Sequence, residues 1–419
     1  MDFTPGEEQS AVRELAARIF SDLSTHERLR AAGTGTDSEL WKALCAAGLP
    51  AAVEETGLLG LVLLLEEQGR VTAQVPLAVT CAYGILAVAR HGTGAQRARL
   101  LPGLRDGTTV VTGAFPAPGT VTARDGSADG LPVGDRDGSM DGPPTGERGG
   151  CTDGPSAGEQ GGPLDGSPAA RRPDEGPHGQ PDTRPPGLPG AHPHSQPHTH
   201  AHALLDGTVP WVPWLGDATH VLVPDREHAL WLVRVEDAAG TEPVELTAPW
   251  SAGRLVLEGT PGERLGGPGA YADVLAAART AFAGLQAGVC AGSLARAVEY
   301  TGVREQFGRP LSTHQAVQLR AAEAYMDTEA IRVTAYEAAW RFDEGLAAAG
   351  AALTAAWWAS EAGKRVVHAG QHLHGGTGAD LDHPVHRHFL WGRQLDAYLG
   401  CGTELLAELG DLLAEGEPS

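Results

Sequence analysis

Apolar side chains recur at helical spacing from the start of the chain and predict a first helix there. The residues that share its apolar face are Val12, Leu15, Ala16, Ile19 and Phe20. Thr4 and Glu7 have the spacing of a capping box, and Pro5 suits a first helical position. Further helices are predicted at about 38–47, 58–68, 76–90 and 94–104. Residues 1–107 are therefore predicted to form an N-terminal α-helical domain.

Short runs of β-branched and apolar residues replace the helical pattern after about residue 108 and favour strands. They lie at 109–112, 203–205, 211–212, 220–223, 230–233 and 254–257. Asp206-Gly207, which follows one of these runs, predicts a hairpin turn. Residues 108–268 are therefore predicted to form a middle β domain.

A segment of different composition interrupts this β domain at about residues 117–203. More than one-third of it is Gly plus Pro, and it contains no Phe, Trp, Tyr or Ile. Such a segment buries too little apolar surface to offset its ordering entropy, so we predict a disordered insertion. The end of this segment is rich in histidine, with His192, His194, His198, His200 and His202. We interpret these histidines as part of a polar coil, with metal binding as the alternative.

Helical periodicity returns at about residue 269 and continues to the end of the chain. The predicted helices are 270–303, 312–345, 349–373, 384–398 and 402–414. Helices of this length pack as antiparallel bundles, so residues 269–419 are predicted to form a C-terminal helical bundle.

Composition narrows the classes of partner. The net charge of -22 disfavours nucleic acid and anionic membranes, because both are polyanionic. The longest apolar run, 58–65, is much shorter than the roughly 20 residues of a membrane span. Five cysteines without CxxC spacing predict reduced thiols in a cytoplasmic protein and no metal site.

Three segments in the second half of the chain suit a cofactor that contains phosphate. They are EYTGVREQFGRPL at 299–311 followed by HQAVQ at 314–318, QHLHGGTG at 371–378, and HPV at 383–385. The Arg304 guanidinium can form forked hydrogen bonds to phosphate, and Gly375 and Gly376 let a cofactor approach the backbone. In sequence and order these segments resemble the signatures of the acyl-CoA dehydrogenase family. The resemblance extends over nearly all of the chain outside the insertion.

The resemblance implies an α+β fold with an N-terminal helical domain, a middle β-barrel-like domain and a C-terminal four-helix bundle. It implies FAD as the cofactor and α,β-desaturation of an acyl thioester, on CoA or on a carrier protein, as the reaction. The residues it assigns to FAD are Arg304, Phe307, Gln315, Gln371, Gly375, Gly376, Trp211 and Thr112. In the family, the first six positions hold the ADP half of an FAD bound mainly by the neighbouring subunit, whereas Trp211 and Thr112 correspond to positions on the flavin-ring side. Arg279 corresponds to an arginine that contacts the substrate.

The positions of the family's catalytic base differ in this chain. Leu399 stands where most members carry a glutamate, and Ala278 stands at the second known position, immediately before Arg279. Neither side chain can accept a proton. Pro213 also replaces a hydroxyl side chain that in the family usually reaches flavin N5. Elements that serve a neighbour are thus retained, whereas those that serve the chain's own site are mostly lost.

Three hypotheses remain open. The first is a non-catalytic subunit of a heteromeric dehydrogenase, similar to the α2β2 enzymes that shorten steroid side chains. The second is an active homomeric enzyme whose base is displaced to Asp396, Glu404 or Asp273. The third is a structural or binding homologue without flavin. The first two predict a cytoplasmic oxidoreductase of lipid metabolism, assembled as a dimer of dimers, with electron-transfer flavoprotein as the candidate electron acceptor.

Overall fold

The computed structural model describes residues 3–116, 120–125 and 202–416. The described residues belong to one compact unit of the chain, Met1–Ala128 with Thr199–Ser419. The predicted order of a helical region, a sheet and a second helical region is confirmed. Of the predicted insertion at about 117–203, residues 117–119 and 126–201, with all of the named histidines except His202, lie outside the described residues, so its disorder stays a prediction.

The N-terminal region consists of helices, as predicted. They are α1 (Glu7–Leu23), α2 (His26–Ala31), α3 (Ser38–Ala46), α4 (Leu49–Arg70), α5 (Leu77–Val79), a π-helical turn (Thr80–Leu86), α6 (Ala87–His91) and α7 (Gly94–Asp106). The predicted capping box at Thr4 and Glu7 is wrong. Gly6 is the N-cap residue of α1, and its backbone N–H donates to Gln9 Oε1 at 2.9 Å.

A break divides α4, and only the part after the break was predicted. Gly57 has φ 72° and ψ -164°, which ends the first part of α4. The Asp343 carboxylate then accepts hydrogen bonds from the backbone N–H groups of Leu58 at 2.8 Å and Leu59 at 2.9 Å. A Cβ atom at Gly57 would lie 2.6 Å from that carboxylate, so glycine is required both by the positive φ and by the close approach.

The described residues of the middle region form the strands β1 (Val111–Gly113), β2 (Val121–Asp125), β3 (His202–Val212), β4 (His220–Pro224), β5 (Leu230–Arg234), β6 (Gly240–Pro243) and β7 (Gly253–Leu265). These strands make one seven-stranded sheet in the order β1-β4-β5-β7-β3-β2, with β6 paired to β7. Strands β1 and β4 are parallel, and the other pairs are antiparallel. Strand β2 and the first residues of β3 fall inside the predicted insertion, so the insertion was predicted too wide.

The predicted hairpin turn at Asp206-Gly207 is also wrong. Both residues lie inside β3, which pairs with β2 on one side and β7 on the other. The register with β7 shifts between Leu205 and Gly207. A Cβ atom at Gly207 would lie 2.2 Å from the Thr120 carbonyl oxygen. Glycine here therefore marks a bulge and a close backbone approach, two alternatives to a turn.

The C-terminal region is a bundle built around one long helix. It contains α8 (Ala270–Val303), the two-residue strands β8 (Glu305–Gln306) and β9 (Arg309–Pro310), α9 (Gln315–Asp343), α10 (Ala349–Leu373), α11 (Pro384–Leu395) and α12 (Gly402–Glu415). Helix α8 packs against α4, α9, α10 and α11. By length and composition it could cross a membrane, but 89% of its most apolar window is buried inside the molecule. One apolar core contains residues from both helical regions and from the sheet.

Candidate functional site

The first of the three cofactor segments, at 299–311, contains Arg304 and is called the arginine motif. It forms the end of α8 and the hairpin that follows this helix. Phe307 and Gly308 connect β8 to β9 with φ values of 55° and 76°, as expected for a two-residue turn of type I′. The turn places Phe307 at its tip, where the residue is 91% exposed. Arg304, which lies between α8 and the hairpin, and Gln315, the first residue of α9, are exposed too.

The second cofactor segment, at 371–378, is called the glycine motif. Its glycines follow α10 and lie in a short 3-10 turn, Gly375–Ala379. Gly375 has φ 61°, and both Gly375 and Gly376 are exposed. A Cβ atom at either glycine would meet no atom within 4 Å, so the space in front of this backbone is open. The Gln371 side-chain amide donates to the Gly378 carbonyl at 3.2 Å. Its N–H group therefore shapes the turn, which is a second role beside the predicted contact with FAD.

The fold brings these two motifs together. The His374 ring stacks on the Tyr300 ring with centroids 4.8 Å apart. Tyr300 in turn accepts a backbone hydrogen bond from Arg304 at 2.9 Å. We call the exposed residues Arg304, Phe307, Gln315, Gly375 and Gly376 the platform. These residues offer a guanidinium, an amide, an aromatic ring and open backbone, and the contact between Tyr300 and His374 joins the two segments that carry them.

The residues predicted for the flavin ring are buried or already hydrogen-bonded. The Thr112 hydroxyl is fully buried and donates to the Pro213 carbonyl at 2.6 Å. Trp211 is half-buried, and its ring centroid lies 5.5 Å from that of Tyr398. The hydroxyl donor of Thr112 is therefore occupied within the chain.

The two positions at which the resemblance predicts a base lie in the apolar core. Leu399 is 5% exposed and Ala278 is 0% exposed. Beside Leu399, the hydroxyls of Tyr398 and Tyr83 are 2.9 Å apart and hydrogen-bonded to each other. Burial raises the pKa of both phenols well above the usual range. These phenols therefore stay protonated near neutral pH.

Each carboxylate considered as a displaced base has partners within the chain. Asp396 accepts from the Ser360 hydroxyl at 2.7 Å and pairs with Arg393 at 3.0 Å. Glu404 accepts from the Cys401 backbone N–H at 2.9 Å, and this hydrogen bond lowers the pKa of the carboxyl group. The third candidate, Asp273, pairs with Arg90 at 3.3 Å. A role for any of them as a base stays a prediction.

Arg279 has a carboxylate partner that the sequence did not reveal. Its two terminal nitrogens donate to the two carboxylate oxygens of Glu408 at 2.7 Å each, and its Nε donates to the Leu399 carbonyl at 3.4 Å. Arg279 is only 7% exposed. The pair joins α8 to α12 across 129 residues of sequence, a separation at which helical periodicity gives no signal. The predicted contact of Arg279 with substrate stays a prediction.

Metal ligands are not grouped in the described part of the chain. Within residues 3–116, 120–125 and 202–416, no three or more His, Cys, Asp or Glu side chains are arranged to hold a metal ion.

Comparison with known proteins identifies the family. The N-terminal and C-terminal domain models of acyl-CoA dehydrogenases match residues 6–108 and 267–407. A solved structure described as the Tcur3481-Tcur3483 steroid ACAD is 36% identical, with 99% of this chain and 100% of that chain aligned and a TM-score of 0.77. The chain belongs to the acyl-CoA dehydrogenase family. This family and its solved members are FAD-binding flavoproteins.

Two further relatives come from Mycobacterium tuberculosis. Acyl-CoA dehydrogenase FadE27 is 38% identical over 229 residues, which are 50% of this chain and 61% of FadE27. The match therefore spans less than two-thirds of that curated relative. The ChsE4-ChsE5 complex contains a chain that is 27% identical, with both chains aligned over 100% of their length and a TM-score of 0.76.

The residues of this dehydrogenase-like chain fit the two halves of FAD unequally. The platform offers a cation, an amide, an aromatic ring and open glycine backbone, which suit a pyrophosphate and an adenosine. At the ring side, the Thr112 hydroxyl is bound to Pro213, and Trp211 packs beside Tyr398. The chain is therefore better equipped to hold the ADP half than the flavin ring.

Proposed function

We propose that this chain is a subunit of an FAD-containing acyl-CoA dehydrogenase assembly. In this assembly it completes the ADP side of a flavin site on a neighbouring chain and contributes no catalytic base of its own. The single observation that carries the proposal is the contrast between the exposed platform and the buried base positions, Leu399 and Ala278. A surface with donors for phosphate is kept open to a neighbour, while the chain's own reaction centre is packed with apolar side chains.

The reaction of the assembly requires two functions at the substrate. A base must remove the α proton of the acyl thioester, and a bound FAD would supply the acceptor for the hydride of the β carbon. In our proposal the neighbouring chain supplies the base. Arg304 binds the pyrophosphate of the neighbour's cofactor by charge-assisted hydrogen bonds, and Phe307 packs against the cofactor. Gly375 and Gly376 let the ADP half approach the backbone.

The similar structures support a heteromeric assembly. The name Tcur3481-Tcur3483 joins two gene products, and ChsE4-ChsE5 is described as a complex. We therefore propose a dimer of dimers with a second acyl-CoA dehydrogenase-like chain. The proposed substrate is an acyl thioester, and the proposed electron acceptor is electron-transfer flavoprotein.

Co-expression tests this proposal. The chain is produced alone and together with a second dehydrogenase-like chain encoded beside it, and the flavin absorbance per protein is recorded. We expect colourless protein from the chain alone and stoichiometric FAD in the two-chain assembly. A yellow homotetramer that an acyl-CoA bleaches would contradict the proposal and favour an active homomer. Absence of FAD from both preparations would favour a homologue without flavin.

A point variant locates the contact. In the two-chain assembly, Arg304→Ala should weaken FAD binding about tenfold or more, because a hydrogen bond to a charged group contributes about 1.5–3 kcal/mol. Arg97→Ala, on the exposed surface of α7, is the matched control and should bind FAD like the unaltered assembly.

A further inference from the structure

An aromatic stack formed by the buried His374 and the half-buried Tyr300 and His383 adjoins the platform and contains residues that the motifs alone do not assign. His374 is 2% exposed, although it immediately precedes the exposed Gly375. Its ring stacks on Tyr300 of α8 with centroids 4.8 Å apart and an interplanar angle of 25°. The ring of His383, which precedes α11, meets the other side of the cluster at 5.0 Å and 61°. Three separate segments of the chain therefore meet at His374.

Hydrogen bonds fix His374 in this position. Its Nδ1 donates to the Gly370 carbonyl of α10 at 2.7 Å, and its backbone N–H donates to the Gln371 carbonyl at 3.2 Å. A Cβ atom at Gly378 would lie 3.1 Å from the His374 Cβ, so the turn closes tightly around this residue. The ring, the backbone and the following turn are thus held together.

Tyr300, the ring on which His374 stacks, is hydrogen-bonded through its backbone to Arg304. The Tyr300 carbonyl accepts the Arg304 backbone N–H at 2.9 Å, one helical turn later. Arg304 in turn accepts from the Leu311 backbone N–H at 2.8 Å, which closes the hairpin that carries Phe307. Displacement of the Tyr300 ring would therefore move the guanidinium relative to the glycine turn.

We infer that Tyr300 and His374 are positioning residues, which set the distance between Arg304 and the Gly375-Gly376 backbone so that both can bind one ADP group. This inference rests on the proposed function, because the ADP group belongs to the FAD that the platform completes. Neither ring needs to touch the cofactor. A rigid platform binds a ligand more tightly than a loose one, since less conformational entropy is lost on binding.

The comparison of two flavins separates positioning from general stability. FAD carries both phosphates and the adenosine, whereas FMN keeps only the phosphate next to the ribityl chain and can therefore use only a small part of the platform. A variant that disturbs only the platform should weaken FAD binding much more than FMN binding. A variant that damages the fold or the assembly should weaken both.

The experiment measures FAD and FMN dissociation constants of the deflavinated assembly by flavin fluorescence. His374→Ala and Tyr300→Ala should each weaken FAD binding about three- to tenfold, the size expected for loss of an aromatic pair. FMN binding should stay within twofold. Tyr300→Phe keeps the ring and should restore the FAD affinity of the unaltered assembly. His368→Ala removes a histidine of α10 that packs edge-on against Phe389 outside the platform, and it is the matched control.

The outcomes distinguish failure of this inference from failure of the proposed function. If Arg304→Ala lowers FAD affinity but His374→Ala and Tyr300→Ala do not, the positioning role is wrong and the platform stands. Equal loss of FAD and FMN affinity would also overturn the positioning role. If Arg304→Ala itself leaves FAD affinity unchanged, the proposed function fails. If Tyr300→Ala does not assemble, the milder Tyr300→Leu replaces it, and if His374→Ala does not assemble, His374→Leu replaces it, each with the same expected result.

Discussion

At the scale of single residues, the buried positions decide what the chain can do. Leu399 and Ala278 are identified from sequence as unable to accept a proton, and the structure adds that both belong to the apolar core. The identity of a residue can be read from the sequence, but its exposure depends on all the segments that pack on it. His388 is a second example, because the motifs do not single it out and only the structure shows that it is buried.

His388 should make stability depend on pH. The ring is 1% exposed and lies 3.0 Å from the Arg70 carbonyl, and burial lowers its pKa from 6.5 to about 4. Between these values the unfolded chain binds more protons than the folded chain. The contribution of the neutral His388 ring to the free energy of unfolding is therefore fully present above pH 6.5. It decreases as the pH falls towards 4, by up to about 1.4 kcal/mol per pH unit.

Urea unfolding at pH 7, 6 and 5 checks this expectation. His388→Gln cannot titrate, so its unfolding free energy should change less over this range than that of the unaltered chain. His26→Gln, at an exposed position of α2, is the control. Identical pH dependence of His388→Gln and the unaltered chain would show that this ring does not contribute.

At the scale of elements, helix ends are stabilised by residues distant in sequence. The break in α4 depends on Asp343, which lies at the end of α9 and caps the backbone of Leu58 and Leu59. Helix α12 packs on a small cluster, separate from the main core, formed by Leu353, Ala356 and Leu405. Its Glu408 also holds Arg279. Neither contact can be read from local periodicity.

Loss of the cap at the α4 break should destabilise the chain. Asp343→Ala leaves two buried backbone N–H groups without their acceptor, and we expect a loss of about 2–4 kcal/mol in unfolding free energy. Asp343→Asn keeps one acceptor oxygen and should lose less. Thermal and urea unfolding measure both variants beside Asp22→Ala, an exposed control on α1. Equal stability of Asp343→Ala and the control would contradict the capping role.

Loss of the Glu408 carboxylate should loosen α12. Glu408→Ala leaves the nearly buried Arg279 without its counter-ion, and because Glu408 itself is half-exposed we expect only about 1–2 kcal/mol. Hydrogen exchange should become faster in residues 402–415. Glu415→Ala, at the end of the same helix, should leave the exchange pattern unchanged. Unchanged exchange in Glu408→Ala would mean that the apolar cluster alone holds the helix.

At the scale of the whole molecule, one core connects the three predicted regions, while the platform remains on the outside. Residues of the N-terminal helices, the sheet and the C-terminal bundle share this core. The sheet also has a second apolar cluster of its own, which includes Val121, Leu205 and Trp231. The division into domains at 107/108 and 268/269 stays a prediction. In the proposed function the platform acts on the cofactor of a second chain, so its test belongs to the scale of the assembly.

Salt should weaken the cofactor contact in the two-chain assembly. If Arg304 binds pyrophosphate at an exposed surface, FAD affinity should fall as ionic strength rises, because exposed charges are screened. In Arg304→Ala this dependence should be smaller. Titrations of FAD at 50 and 500 mM salt measure the difference, with Arg97→Ala as the control. If Arg304→Ala does not reduce the salt dependence of FAD affinity, this dependence comes from other charges.

The sequence by itself determined the family, the order of helices and strands, and the identity of the residues at the platform and at the two base positions. These properties depend on local periodicity and on motifs of adjacent residues. The tertiary structure decided where Gly207 and Gly57 bend the chain, which carboxylate meets Arg279, and how Tyr300 meets His374. Each of these is a contact between segments far apart in sequence, so packing rather than local preference determines it.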